Sequence, residues 1–192
     1  MSIIGNSIKE SIKFLEDGGL VGIPTETVYG LAANGLDANA VLKIFAAKKR
    51  PSFDPLILHS TSDKIFNWVR EIPAPAKKLA EAFWPGPLTL ILPKSDKVPF
   101  EVTSGLDTVG VRVPNHALTL ELLQKINFPL AAPSANPFGY ISPTTALHVN
   151  QQLGDEVNYI LDGGACLVGI ESTIVGFENN EAIIYRLGGL SV

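Results

Sequence analysis

The feature that most limits the fold of this chain is a repeated order of short apolar runs, turns and amphipathic segments. The apolar runs at residues 56–58 and 109–113 suit buried strands, whereas residues 7–16 repeat their large apolar side chains with helical spacing. Strands that alternate with helices indicate an α/β fold, and the clustering of strand candidates late in the chain indicates mixed strand directions. We therefore expect an open twisted sheet with parallel and antiparallel strands and flanking helices.

The periodicity and the turn signals also predict the individual elements. Helices are expected over residues 7–16, 38–47, 62–69, 74–83, 116–126 and 144–153, with Asp37 as an N-cap. Strands are expected over residues 20–23, 56–58, 88–92, 109–113, 130–132, 159–161, 173–175 and 183–185. A chain of 192 residues can bury a core without a disulfide or a metal, so residues 1–192 are expected to form a single domain.

Charge and cysteine content exclude several classes of protein. The net charge is -4 and 18% of the residues are charged, which is typical of a globular chain without a general affinity for polyanions. The lone cysteine, Cys166, excludes an internal disulfide, and the scattered histidines exclude a zinc finger. The first residues do not resemble a signal peptide and no apolar run is long enough to cross a bilayer, so we expect a cytoplasmic protein.

Several well-known catalytic and nucleotide-binding motifs are absent from the sequence. There is no P-loop, no G-x-G-x-x-G after a strand, no G-x-S-x-G and no H-E-x-x-H. Ser134 and Ser172 have no histidine near them in sequence, which disfavours a serine hydrolase, and Cys166 is interpreted as a small apolar packing residue. The chemistry must therefore come from another arrangement of side chains.

Polar turns between the apolar runs hold the candidate functional residues. Residues 24–30 read P-T-E-T-V-Y-G, and the others read K-K-R-P (48–51), P-L-I-L-H (55–59), P-S-A-N (133–136) and G-I-E-S-T-I-V (169–175). Open α/β sheets bind ligands at the carboxyl ends of their strands, so we expect most of these turns to line one crevice. Arg112 and Arg186 stand isolated among apolar and small residues, and a buried arginine normally requires an anionic partner.

Taken in this order, the turns resemble those of the YrdC-like threonylcarbamoyl-AMP synthase family, including its K-x-R and S-x-N signatures, across residues 8–190. The resemblance implies a YrdC-like fold with a concave, positively lined crevice. It implies a nucleotidyltransferase that condenses L-threonine, bicarbonate or CO2, and ATP with Mg²⁺ into threonylcarbamoyl-AMP and releases pyrophosphate. Partner proteins, the tRNA-modifying transferases, would then use this product to form threonylcarbamoyladenosine in tRNA.

The resemblance also divides the candidate residues between the two substrates. It makes Lys48 and Arg50 the catalytic pair, because cations beside a triphosphate neutralise its charge. The nucleotide contacts that it implies are Lys48, Arg50, Asp54, Thr108, Ser134, Asn136, Ser142 and Arg186. Arg112 is the expected clamp for the threonine carboxylate, since a guanidinium matches carboxylate geometry. The complete set of implied threonine contacts is Thr27, His59, Arg112, Ala132 and Ser172.

Local structure offers another explanation for some of these residues. Lys48 and Arg50 follow a predicted helix, where basic side chains complement the helix dipole. Ser134 and Asn136 favour turns in any protein, and Ser142 suits the N-cap of the following helix. Sequence spacing alone leaves both explanations open.

Three further assignments depend on where the side chains point. The alternation around Arg112 also suits a solvated sheet face, and His59 as the proton acceptor for the threonine amine is a hypothesis. Asp54 departs from the family pattern, which usually has asparagine before the proline. Because an acid near a triphosphate repels it, Asp54 either reaches Mg²⁺, faces away or weakens ATP binding.

Two other functions are compatible with the same residues. A concave basic face also suits a module that binds tRNA or double-stranded RNA, although the net charge of -4 disfavours strong binding to a phosphate backbone. A related domain that makes carbamoyl-AMP for another acceptor would use a similar crevice. Threonine-dependent release of pyrophosphate distinguishes the synthase from both.

Overall fold

A ten-stranded sheet of mixed direction forms the fold in this computed structural model, which describes residues 2–179 and 181–190. The strands are β1 (Ile3–Gly5), β2 (Val21–Ile23), β3 (Gly30–Asn34), β4 (Ile57–His59), β5 (Leu88–Pro93), β6 (Thr108–Arg112), β7 (Leu130–Ala131), β8 (Tyr159–Leu161), β9 (Thr173–Glu178) and β10 (Glu181–Arg186). The α-helices are α1 (Ile8–Glu16), α2 (Ala38–Lys48), α3 (Ala74–Phe83), α4 (Phe100–Thr103), α5 (Ala117–Lys125) and α6 (Ala146–Leu153). Within the described residues, no helix combines the length and the apolar character that a membrane span requires.

The strand order confirms the predicted α/β class and the mixed sheet. Across the described residues the order is β1-β8-β2-β3-β7-β4-β6-β5-β9-β10. β1, β8 and β2 are mutually parallel neighbours, as are β4 with β6 and β5 with β9, whereas the other neighbouring pairs are antiparallel. The sheet therefore combines both directions at its centre, where the candidate site lies.

The register of the central strands places two candidate residues side by side. β4 runs parallel to β6, with His59 paired to Arg112, and β7 runs antiparallel to β4. Because successive residues of a strand point to opposite faces, Ile57, His59 and Arg112 share one face of the sheet. Leu58 and Val111 alternate with them and are buried in the apolar core. The packing of one face thus fixes the position of the polar residues on the other.

Local capping interactions define the ends of the helices next to the site. The Asp37 carboxylate accepts hydrogen bonds from two backbone N–H groups in the first turn of α2, which confirms the predicted N-cap. Thr145 caps α6, so the explanation of Ser142 as that N-cap is wrong. After Lys48, the residue Lys49 adopts a left-handed φ of 51°, which ends α2 and turns the chain.

The structure departs from the predicted elements in two main places. Residues 62–69 contain only a short 3-10 helix, Ile65–Trp68, because Val69 is extended and pairs with Lys94 across an isolated bridge. β3 is not predicted, since its sequence G-L-A-A-N has little strand propensity. Its small residues suit a crowded position, and a Cβ added at Gly30 would lie 3.3 Å from the Ala132 Cβ. β1 and α4 are also not predicted, as both are very short.

Candidate active site

A cleft over β4, β6 and β7 brings most of the predicted site residues together. Its volume is about 90 Å³, and the predicted residues that line it are Thr27, Arg50, His59, Arg112, Ala132, Ser134, Ser172 and Arg186. Its other lining residues are Thr25, Val28, Gly30, Pro55, Ile57, Pro133 and Glu171. The floor is the sheet face itself, because His59 and Arg112 are paired strand residues. The predicted turns form the walls. The crevice was expected at the carboxyl ends of the strands, but it also extends over the face of the sheet.

Arg112 is held at the floor of the cleft by a buried ion pair. Its Nη2 donates to Glu26 Oε1 at 2.7 Å and to Thr27 Oγ1 at 2.9 Å, while its Nε donates to the Gly86 carbonyl oxygen at 3.3 Å. The residue is 4% exposed, so the explanation of Arg112 as part of a solvated sheet face is wrong. Among the described residues, no acceptor takes a hydrogen bond from Nη1. This nitrogen is available to a carboxylate in the cleft.

Glu26 is a residue of the candidate site that the sequence prediction does not include. While Oε1 pairs with Arg112, Oε2 accepts a hydrogen bond from the Asn115 backbone N–H at 3.0 Å. The Val168 backbone N–H donates to the Glu26 carbonyl oxygen at 2.9 Å, which fixes the loop that carries the carboxylate. The sequence does contain a signal for this pair, because an isolated buried Arg112 requires an acid. Glu26 therefore fixes the orientation of Arg112.

Lys48 lies beneath the turn at residues 133–136 and does not line the cleft. Its Nζ donates to the carbonyl oxygens of Ser134 at 2.6 Å and Asn136 at 2.5 Å, and the residue is 1% exposed. Burial lowers the pKa of Lys48 to about 7, and repulsion by Arg50 acts in the same direction. The two short hydrogen bonds favour the charged form and oppose these effects. We therefore revise the prediction of a direct phosphate contact, because the ammonium holds the turn that carries Ser134.

Arg50 lines the cleft and is paired with its own loop. Its Nη2 lies 2.9 Å from Asp54 Oδ2, and the two side chains are 14% and 36% exposed. The Nε donates to the Asp54 carbonyl oxygen at 3.0 Å, and Nη2 donates to the Pro55 carbonyl oxygen at 3.1 Å. The Asp54 carboxylate thus forms an ion pair with Arg50, the guanidinium that the sequence predicts as a phosphate contact.

The wall formed by residues 171–172 joins several candidate residues. Arg186 donates from Nε and Nη2 to the Ser172 carbonyl oxygen at 3.0 Å and 2.9 Å. The Ser172 hydroxyl lies 2.8 Å from Thr89 Oγ1, which orients it. Glu171 lines the cleft and its Oε1 accepts a hydrogen bond from the Ser142 hydroxyl. Ser142 therefore contacts the cleft lining through Glu171, a lining residue that the sequence prediction does not include.

Besides Lys48, Asp54 and Ser142, two further predicted nucleotide contacts do not line the cleft. Thr108 is at the opposite end of β6 from Arg112 and lines a separate surface pocket beside Phe177. Asn136 is buried, and its Nδ2 donates to the Tyr140 carbonyl oxygen at 2.7 Å. The structure does not bring Thr108 to the other candidates, and it gives Asn136 a supporting role in the turn.

Burial keeps the imidazole of His59 neutral. The loss of solvent around this residue, followed by repulsion from Arg112, lowers its pKa to about 3. Among the described residues, Nδ1 has no hydrogen-bond partner. Such a weak base is poorly matched to removing a proton from an amine near neutral pH. The environment favours His59 as a neutral binding contact over the proton acceptor of the original hypothesis.

The state of His59 predicts how stability depends on pH. Its pKa is about 3 in the folded protein against 6.5 ordinarily, so between these values the unfolded chain binds the additional proton. The contribution of the neutral His59 to the unfolding free energy is complete above pH 6.5 and is lost as the pH falls from 6.5 toward about 3. Between about pH 6 and 4, we expect the unfolding free energy of the wild type to fall more steeply than that of His59→Gln, by up to about 1.4 kcal/mol per pH unit. Denaturant unfolding measures both slopes, and parallel slopes would contradict a buried neutral imidazole.

The charges of the cleft suit two anions of different size. Arg112 lies on the floor in its buried pair with Glu26. Burial and then repulsion from Arg186 lower the pKa of Arg50, which indicates that these two guanidinium groups are close. Burial and then repulsion from Arg112 lower the pKa of Arg186, so Arg186 lies between the two positions in charge as well as in the lining. A single carboxylate suits the first position and a polyphosphate suits the second. Within the described residues, no three His, Cys, Asp or Glu side chains form a metal cluster. Glu171 in the lining still fits Mg²⁺ that phosphates bring, because such ions need only one or two protein carboxylates.

Comparison with known proteins supplies the family. The model Sua5_yciO_yrdC, described as "Telomere recombination", matches residues 13–188. The chain belongs to this Sua5/YciO/YrdC family. The threonylcarbamoyl-AMP synthases of Pyrococcus abyssi and Bacillus subtilis are 48% and 43% identical to it over 95% and 96% of the chain. The chain spans about half the length of these curated relatives, covering 54% of each.

A solved structure confirms the Sua5/YciO/YrdC fold. Sua5 from Pyrococcus abyssi in complex with L-threonine superimposes with a TM-score of 0.94 at 46% identity. The match covers 99% of this chain and 58% of that one. The YrdC-like fold expected from the sequence is therefore confirmed at the level of the whole described sheet.

Proposed function

We propose that the cleft binds ATP and L-threonine side by side and that the whole protein makes threonylcarbamoyl-AMP. The observation that carries this proposal is that Arg50, Arg112, Ser134 and Ser172 line one cleft. The relatives named threonylcarbamoyl-AMP synthase and the Sua5 complex with L-threonine support it. They favour this function over an RNA-binding module and over a domain that makes carbamoyl-AMP.

In the proposed complex, Arg112 binds the threonine carboxylate through Nη1. The floor beside it carries the neutral His59, which hydrogen-bonds without adding charge. Ala132 leaves space for a small branched side chain. The hydroxyl groups of Ser172 and Thr27 line the same cleft as Arg112 and can contact the bound amino acid. These contacts suit an amino acid of threonine size with one carboxylate.

The nucleotide half of the proposed site lies around Arg50 and Arg186. Both are cationic and line the cleft, so they suit the phosphates, while Ser134 offers a hydroxyl from the turn that Lys48 supports. Mg²⁺ carried by the phosphates would neutralise further charge, with Glu171 as its protein carboxylate. Direct contacts of Thr108 and Ser142 with the nucleotide stay predictions.

The proposed chemistry relies on positioning and charge neutralisation. The neutral threonine amine attacks CO2, so that a C–N bond forms while one C–O π pair moves onto oxygen, and the nitrogen then releases a proton to solvent to give an N-carboxylate. A carboxylate oxygen then attacks the α-phosphorus, the bond from this phosphorus to the bridging oxygen of the β-phosphate breaks, and pyrophosphate leaves. Arg50 and Arg186 would stabilise the charge that develops on the phosphates. No covalent enzyme intermediate is required, which agrees with the lack of a nucleophile and base pair in the sequence.

The product of this reaction needs an acceptor. Threonylcarbamoyl-AMP is a mixed anhydride and reacts with nucleophiles. We propose that tRNA-modifying transferases in the cytoplasm consume it, with at most a weak direct contact between tRNA and this chain, because the net charge of -4 disfavours backbone binding.

Pyrophosphate release tests the proposed function. With ATP, Mg²⁺, bicarbonate and L-threonine present, we expect release that depends on both bicarbonate and L-threonine. D-threonine is the control, since it places the amine or the side chain wrongly once its carboxylate is clamped. Release that is equal with and without L-threonine, from correctly folded protein, would contradict the proposal. Use of carbamoyl phosphate in preference to L-threonine and bicarbonate would favour the carbamoyl-AMP alternative.

A further inference from the structure

Arg50 faces the cleft with one edge of its guanidinium already occupied. The acceptors on this edge are the carbonyl oxygens of Asp54 and Pro55 and the Asp54 carboxylate, at 3.0 Å, 3.1 Å and 2.9 Å. A guanidinium binds an anion in bidentate fashion through an edge formed by two nitrogens, and here the Nε–Nη2 edge is filled by the chain itself. An anion in the cleft therefore meets only Nη1 unless the Asp54 side chain moves.

The two ion pairs of the cleft differ in their burial. The side chains of Arg112 and Glu26 are 5% and 7% exposed, so their separation would leave two unpaired charges in the protein interior. The Asp54 side chain is 36% exposed, and an exposed carboxylate can rotate into water at little cost. The Arg112 pair is therefore a fixed part of the floor, whereas the Arg50 pair can be opened by a ligand.

We propose that Asp54 sets the nucleotide affinity of the cleft by competing with the triphosphate for Arg50. Before the nucleotide binds, the Asp54 carboxylate is the anion on this guanidinium. An entering triphosphate is repelled by it, and it gains more than the Nη1 contact with Arg50 only by displacing it. L-Threonine does not have to displace a carboxylate from Arg112, because the buried Glu26 stays on Nη2 and the threonine carboxylate takes Nη1. This inference rests on the proposed nucleotide site, and it changes the role of Asp54 from an ATP ligand to a competitor of ATP.

Calorimetric titration with a non-hydrolysable ATP analogue, with and without Mg²⁺, tests the competition in the wild type, Asp54→Asn and Asp54→Glu. The asparagine keeps the size and the backbone carbonyl of residue 54, removes the negative charge and exchanges one carboxylate oxygen for an NH2 group. We expect it to bind the analogue at least about threefold more tightly than the wild type, with or without Mg²⁺. The glutamate variant keeps the charge and is expected to stay within about twofold of the wild type. The affinity for L-threonine is expected to be unchanged in both.

Each other result overturns a specific part of the argument. If the wild type binds the analogue and Asp54→Asn binds it equally or more weakly, the competition is wrong and the proposed function still stands. Weaker binding by Asp54→Asn only in the presence of Mg²⁺ would assign the carboxylate to the cation. A wild type that does not bind the analogue would overturn the nucleotide site and this inference together. Unchanged thermal unfolding midpoints ensure that the variants report binding and not folding.

Discussion

Replacement of Arg112 by alanine is expected to abolish threonine binding and to destabilise the fold by about 3–5 kcal/mol. The first effect follows because the guanidinium on the sheet floor is lost, and removal of a buried charged partner typically costs at least about 30-fold in affinity. The second follows because the Glu26 carboxylate is left buried without its cation. Titration with L-threonine and denaturant unfolding measure the two effects separately.

A double variant separates the effects of Arg112 on binding and on folding. Glu26→Gln combined with Arg112→Met removes both buried charges, so we expect it to recover most of the lost stability, since neutral residues of similar size can replace a buried ion pair. Threonine binding is expected to stay lost. If either variant bound L-threonine as tightly as the wild type does, Arg112 would not be the carboxylate clamp.

Replacement of Lys48 by methionine is expected to weaken ATP binding by at least about tenfold and to lower the unfolding free energy by about 2 kcal/mol or more. Methionine leaves the carbonyl oxygens of Ser134 and Asn136 buried without a donor. Relief of the buried ammonium offsets part of this cost, but the turn beside the nucleotide half loses its support. Binding of the ATP analogue and denaturant unfolding are the measurements.

The neighbouring lysine supplies a matched control for the Lys48 variant. Lys49 is exposed and is the next residue in sequence, so Lys49→Met removes the same charge without removing the two buried hydrogen bonds. We expect its stability to stay within about 0.5 kcal/mol of the wild type. If Lys48→Met lost ATP binding while keeping full stability, Lys48 would contact the phosphates directly, as the sequence motif first indicated.

Local rules explain how much of the fold was predictable. The N-cap at Asp37 and the helix that follows it depend on neighbouring residues, and they are confirmed. The apolar run that became β6 is also confirmed, because a short apolar run predicts a buried strand and residues 109–112 of β6 are buried on both faces. β3 could not be predicted, since its small residues are selected by crowding between β2 and β7 and not by strand propensity.

The partners of the site residues were less predictable than the residues themselves. The resemblance of the motifs identified Arg112 and Lys48, but it did not identify the residues that their side chains contact. Glu26 contacts Arg112 across 86 positions of the chain, and Lys48 meets the Asn136 carbonyl oxygen across 88. Such contacts depend on how the strands pair, so the sequence could indicate that Arg112 needs an acid without identifying which one.

A crystal structure of the protein with L-threonine and a non-hydrolysable ATP analogue tests the central claim most directly. We predict one cleft that holds both ligands, with the threonine carboxylate within hydrogen-bonding distance of Arg112 Nη1. We also predict that the phosphates contact Arg50 and Arg186 and that the Asp54 side chain is turned away from Arg50. Ligands bound in two separate regions, or a nucleotide seated beside Thr108 away from both arginines, would contradict the account.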